Sequence, residues 1–213
     1  MNDLSTQSTT ESPSLWRVLT LAPNLIGYIR IALLVSVLFI AFNYPLLTFI
    51  LYFIGGNLDA VDGYLARRLN QTSKVGTILD YATDRASDIV VFMILAALYP
   101  QWWALFVLLL MLDIFSHICQ VYSTVFSTEK SHKLIGKSQG SLLSLYYTNR
   151  VVLYFTCASH DLWLGCMYLL HFFPLHWLFI LQFFLLPGFV FKCVIHLLQI
   201  WTVFHKVSAE EQI

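Results

Sequence analysis

LDAVDGYLARRLNQTSKVGTILDYATDR, residues 58 to 85, sets Asp59, Asp62, Asp80 and Asp84 within two of the most apolar segments of the chain. The setting makes these four residues expensive. Of 213 residues, 58% are hydrophobic and 11% charged, whereas a soluble domain carries charge on about a quarter of its positions. The composition is that of a membrane protein, and a carboxylate in mid-bilayer costs at least ~2.5 kcal/mol even on lenient scales. Such groups must face protein or a water-filled cavity.

Working outward, apolar runs stand near 25 to 42, 45 to 66, 76 to 98, 102 to 124, 146 to 170 and 176 to 204. A crossing helix needs about 20 apolar residues, so the expected fold is all-α with six transmembrane helices. Leu15, Trp16, Val18 and Leu19, with Arg17, suit a short N-terminal helix lying in the interface. Residues 1 to 13 are polar and rich in Ser and Thr and read as a disordered tail. The expected organisation is that tail, one six-span domain over 14 to 205, and a short C-terminal tail over 206 to 213.

The chain is formally neutral, with 12 basic and 12 acidic residues, which gives no reason to expect a nucleic-acid partner. Its charge is nonetheless unevenly placed. Arg67, Arg68, Lys74, Lys130, Lys133 and Lys137 fall in alternate connections, while the turns at Asn43-Tyr44-Pro45, Tyr99-Pro100-Gln101 and Phe173-Pro174-Leu175 hold no Lys or Arg. The positive-inside tendency then puts the basic connections and both termini on the cytosolic side. The four cysteines lie in apolar runs without a C-x-x-C pair and read as buried small hydrophobes.

Asp59 and Asp62 are three apart, and Asp80, Asp84 and Asp88 follow at fours, so each set lies on one stripe of its helix. The short connection from Arg67 to Lys74 makes the two helices antiparallel neighbours whose stripes can meet. Four clustered carboxylates call for cations, and an all-oxygen donor set favours Mg²⁺ or Mn²⁺ over zinc. Two such ions would clamp a diphosphate. Gly63 and Ala66 leave room near the backbone, and Arg67 offers a planar fork for phosphate. The structural alternative is a network neutralising Arg67, Arg68 and Arg85, but the acidic residues outnumber the basic ones on these stripes.

Asp59, Asp62, Gly63, Ala66, Arg67, Gly76, Asp80 and Asp84 match, position by position, the pattern D-x-x-D-G-x-x-A-R-x8-G-x3-D-x3-D. In these residues the chain resembles the CDP-alcohol phosphatidyltransferase family. The resemblance implies a six-span fold whose active site faces the cytosol, and it implies homodimers. It further implies that Asp59, Asp62, Asp80 and Asp84 hold two divalent ions and that Asp84 is the catalytic base. Gly63, Ala66 and Arg67 would border the cytidine nucleotide of CDP-diacylglycerol.

NLIGYIRI (24 to 31), LDYATDRASD (79 to 88), SHK (131 to 133) and LYYTNRVVLYFTCA (145 to 158) resemble stretches of the eukaryotic phosphatidylinositol synthase branch of that family. That likeness implies myo-inositol as acceptor, phosphatidylinositol and CMP as products, and the endoplasmic reticulum membrane as location. Another acceptor alcohol stays open, and so does, from a different class, a divalent-cation transporter.

Several assignments rest on position alone. Arg30, one turn into the first span, either snorkels to the membrane surface or serves the phosphates of CDP-diacylglycerol. Arg150, with a polar collar of Tyr147, Thr148 and Asn149, is the leading acceptor-pocket candidate, followed by Lys133 and His132. Arg85 and Asp88 are expected to support the site from behind. Asn24 is expected to cap the first span, Gly55 and Gly56 to let helices approach, and Asp113 with His117 to bond to each other or to a neighbouring helix. His160 and Asp161 read as structural, and Lys192 has no partner visible in sequence.

Overall fold

The computed structural model describes residues 14–126 and 141–210. Every regular element among them is helical: α1 (Leu15–Leu19), α2 (Ala22–Ile40), α3 (Pro45–Arg68), α4 (Lys74–Leu98), α5 (Trp103–Phe126), α6 (Ser141–Thr148), α7 (Arg150–Phe172) and α8 (His176–Glu210), with a 3-10 turn at Pro100–Trp102. The three uncharged turns expected from sequence fall between helices. Pro45 is the first residue of α3, where its missing N–H leaves no hydrogen bond unmade. α8 continues past residue 205 to Glu210.

Four helices, α2, α3, α5 and α8, are long and apolar enough to cross a bilayer. α4 and α7 have 25 and 23 residues, enough length to span. Both are more polar: α4 carries Lys74, Asp80, Asp84, Arg85 and Asp88, and α7 carries Arg150, His160 and Asp161.

The helix of the fifth apolar run begins at Arg150, a few residues inside the run read near 146 to 170. Asn149 leaves helical geometry at φ −99° and ψ 102°, and its side chain accepts from the N–H groups of Val151 and Val152. This is an N-cap, and it separates α6 from α7.

The chain forms two compact units. The first draws on residues up to Leu38 and on Ile50 to Asp84; the second draws on Phe39 to Phe49 and on Arg85 onward.

In the first unit, α3 ends in a Schellman turn. Asn70 adopts a left-handed φ of 52°, its N–H reaches the Arg67 carbonyl, and the Gln71 N–H reaches the Ala66 carbonyl at 2.9 Å. Gln71 Oε1 then accepts from the backbone N–H of Ala22, at the start of α2, at 3.2 Å. The role expected of Asn24 is thus taken by Gln71, 49 positions from the Ala22 it serves. Asn24 lies inside α2 and donates from Nδ2 to the Val18 carbonyl at 2.7 Å, tying α2 to α1. Among the described residues Gly55 and Gly56 mediate no close approach: a Cβ built on either meets nothing within 4 Å.

In the second unit, α8 packs along α7 and α5, with α6 against α7 and α8. Close approach of α7 and α8 depends on Gly188, where a Cβ would stand 2.4 Å from Ser159 Cβ. Leu143, Tyr146 and Ile195 form a buried apolar cluster. The Tyr168 hydroxyl donates to the Ala41 carbonyl at 2.5 Å.

Candidate active site

The four aspartates converge within the first unit on a basic residue that the sequence left between two roles. Arg30 of α2, 3% exposed, sets Nη1 at 2.8 Å from Asp59, 3.0 Å from Asp62 and 3.0 Å from Asp80, and Nη2 at 2.5 Å from Asp84. α3 supplies the first two carboxylates and α4 the others. Spacings of three and four residues aim each pair to one side of its helix.

The structural alternative named Arg67, Arg68 and Arg85 as counter-ions. The residue that meets all four carboxylates is instead Arg30, from a different helix. One guanidinium faces four carboxylates, an excess of three negative charges if all are ionised. Arg30 is enclosed, but Asp59, Asp80 and Asp84 keep side-chain exposures of 42%, 48% and 38%, so their oxygens are reachable from solvent.

Oxygens of Asp59, Asp62 and Asp80 lie within 4.8 Å of one another. The donor set is oxygen only, over-charged and accessible, and it fits a hard divalent cation. Beside it is a cavity of about 190 Å³ whose lining includes Gly27, Asp62, Gly63, Ala66, Arg67 and Asp80. Arg67, Ala66 and Gly63 therefore share one cavity with two of the carboxylates.

Ser73 shapes the cavity's edge. Its hydroxyl accepts from the Gly76 N–H at 2.9 Å and caps α4. Gly76 cannot carry a side chain without displacement, because a Cβ there would stand 2.7 Å from Asn24 Oδ1 and 3.1 Å from Ser73 Oγ. Ser73, three residues before Gly76, was a legible N-cap signal. Gln71 offered no such sign.

The second unit holds its own buried polar network. Arg85 pairs with Asp88 at 2.9 Å and with Asp113, and its Nη1 lies 3.2 Å from His117 Nδ1. His117 Nδ1 is 2.8 Å from the backbone carbonyl of Asp113, so this pair is bonded as expected, with Arg85 as an unforeseen third member. His196 stands 3.3 Å from Asp113 through Nε2 and 2.6 Å from the Ser116 hydroxyl through Nδ1. Lys192, unexplained by sequence, lies 3.1 Å from His160 Nδ1, which is 3.0 Å from Asp161. Asp113, His117 and His196, and likewise Asp88, His160 and Asp161, have metal-like spacing. A cationic side chain already stands in each group, so neither has the charge excess of the four-aspartate site.

Arg150 is exposed at the first position of α7. The polar collar expected around it is turned elsewhere: Asn149 caps α7, Thr148 donates to the Ser144 carbonyl at 2.7 Å, and the Tyr147 hydroxyl accepts from Gln199 at 2.7 Å. Lys133 and His132 lie outside the described residues.

The CDP-alcohol phosphatidyltransferase family model matches residues 20–170. The CDP-diacylglycerol–inositol 3-phosphatidyltransferase of Saccharomyces cerevisiae is 38% identical over 201 residues, covering 92% of this chain and 90% of the relative. The Candida albicans protein of the same name is 39% identical over 80% of this chain and 74% of its own length. The human one is 39% identical over 70% of each. No solved structure matches the chain significantly. With a family match that contains all four aspartates and relatives aligned over most of their length, the chain belongs to the CDP-alcohol phosphatidyltransferase family.

Proposed function

We propose that this protein transfers the phosphatidyl group of CDP-diacylglycerol to myo-inositol, giving phosphatidylinositol and CMP. The convergence of Asp59, Asp62, Asp80 and Asp84 beside the cavity carries the reading. The choice of inositol draws on the names of relatives 38% to 41% identical from fungi, mammals and a plant.

Asp59, Asp62, Asp80 and Asp84 would hold two divalent ions, Mg²⁺ or Mn²⁺, which supply positive charge to the diphosphate. The nucleotide enters the cavity, where Gly63 and Ala66 leave the backbone approachable and Arg67 offers paired N–H donors to phosphate. Asp84 accepts the proton of the inositol hydroxyl as its oxygen forms a bond to the lipid-side phosphorus. The bond from that phosphorus to the bridging oxygen breaks, and CMP leaves with the electron pair. A carboxylate suits this task because a neutral alcohol is a poor nucleophile until its proton has an acceptor within hydrogen-bond reach.

Arg150 is the acceptor-side candidate among the described residues, with Lys133 and His132 as further candidates beyond them. Arg85 and Asp88 support α4 behind Asp84. The protein has six crossings with α1 in the interface, both termini and the active site face the cytosol, and it works as a homodimer in the endoplasmic reticulum membrane.

The test is CMP release by purified protein in detergent, with CDP-diacylglycerol, Mg²⁺ or Mn²⁺, and a panel of alcohols. Release with inositol is expected; release with serine but not inositol overturns the acceptor, and no release with any alcohol overturns the reaction. Asp84→Asn is expected to lower turnover by about 10²-fold or more, the usual worth of a general base, while CDP-diacylglycerol still binds. Normal turnover removes Asp84 from the base role.

A further inference from the structure

Arg30 stands where a cation would stand. Its Nη1 lies 2.8 to 3.0 Å from oxygens of Asp59, Asp62 and Asp80, the three residues whose oxygens also converge closely enough to ligate one ion. A Mg²⁺ ion draws its oxygens to about 2.1 Å, which leaves no room for an N–H group at the same point. Like charge adds to the exclusion.

The guanidinium is also imperfectly housed. Its Nε is buried and makes no hydrogen bond, although four carboxylates surround the other end of the group. The cavity lies close by: its lining includes Gly27, one turn earlier on α2, together with Asp62 and Asp80.

We propose that Arg30 is an internal counter-ion competing with the divalent cation for the point shared by Asp59, Asp62 and Asp80, and that cation binding releases its guanidinium toward an anionic diphosphate in the cavity. This rests on the metal-dependent reading of the site and deepens it. The guanidinium offsets part of the carboxylates' charge before the cation arrives and part of the diphosphate's afterwards. Cation and nucleotide lipid then favour each other's binding through one side chain, which is reciprocal coupling in the thermodynamic sense.

The experiment measures Mn²⁺ binding by electron paramagnetic resonance, without lipid substrate, for the wild type and Arg30→Gln. The variant is expected to bind Mn²⁺ about tenfold more tightly, within the usual range of coupling between sites, and to bind CDP-diacylglycerol more weakly in the presence of Mn²⁺. Equal or weaker Mn²⁺ affinity in the variant overturns the proposal while leaving the metal site standing. Absence of Mn²⁺ binding in both proteins overturns the metal reading itself.

Should Arg30→Gln fail to fold, wild-type protein labelled with ¹⁵N-arginine answers the same question. The Arg30 Nε–H resonance, assigned by its loss in Arg30→Lys, is expected to shift and exchange faster with solvent at saturating Mg²⁺. A resonance unmoved by bound Mg²⁺ overturns the proposal.

Discussion

At the scale of single residues, charges in this chain are held by partners distant in sequence. Asp113, 2% exposed, meets Arg85 from 28 positions away. Removing one member of a buried pair strands the other, at a usual cost of 3 to 5 kcal/mol, and Asp88 remains to share the loss. Asp113→Asn is therefore expected to lower stability by about 3 kcal/mol, read as a lower melting temperature in detergent. An unchanged melting temperature means that Asp88 and His117 hold Arg85 alone. The acidic stripes were legible from spacings of three and four because helical geometry is local. Arg30 as their common partner was not, since nothing in residues 58 to 85 indicates which other helix passes nearby. Lys192 shows the same limit, its partner His160 being 32 positions away.

At the scale of elements, termini and turns decide how the site is shaped. The α3–α4 connection is a Schellman turn with Asn70 in the left-handed region, followed by Ser73 as the cap of α4. Asparagine tolerates that conformation better than most residues. The turn also sends Gln71 back to the start of α2, and Asn24 sits against Gly76. Gly76→Ala is expected to push these elements apart, costing about 1 to 3 kcal/mol as overpacking does and weakening CDP-diacylglycerol binding more than turnover of bound substrate. The measurement is a split of KM against kcat with thermal unfolding alongside; unchanged KM and stability show that Asn24 yields freely. Asn149 is the converse case. Its cap starts α7 a few residues inside the apolar run read near 146 to 170, because hydropathy reports burial and carries little information about helix ends.

At the scale of the whole molecule, the sidedness of the connections is the property most open to test. With the four native cysteines replaced, a single cysteine at Thr72, between α3 and α4, is expected to react with an impermeant maleimide added to the cytosolic side of sealed microsomes. One at Asn43, between α2 and α3, is expected to react only after permeabilisation. The reverse pattern overturns the orientation drawn from Lys and Arg placement.

By itself the sequence determined the helical class, the positions of the long apolar helices and the identity of the acidic cluster, because hydropathy, helical period and motif spacing act over one or two turns of chain. Only the tertiary structure decided that Arg30 joins the four carboxylates, that Gln71 rather than Asn24 serves the first residue of α2, and that Lys192 finds His160. Those contacts depend on which helices lie side by side, and that arrangement follows from packing summed over many weak contacts rather than from any short stretch of chain.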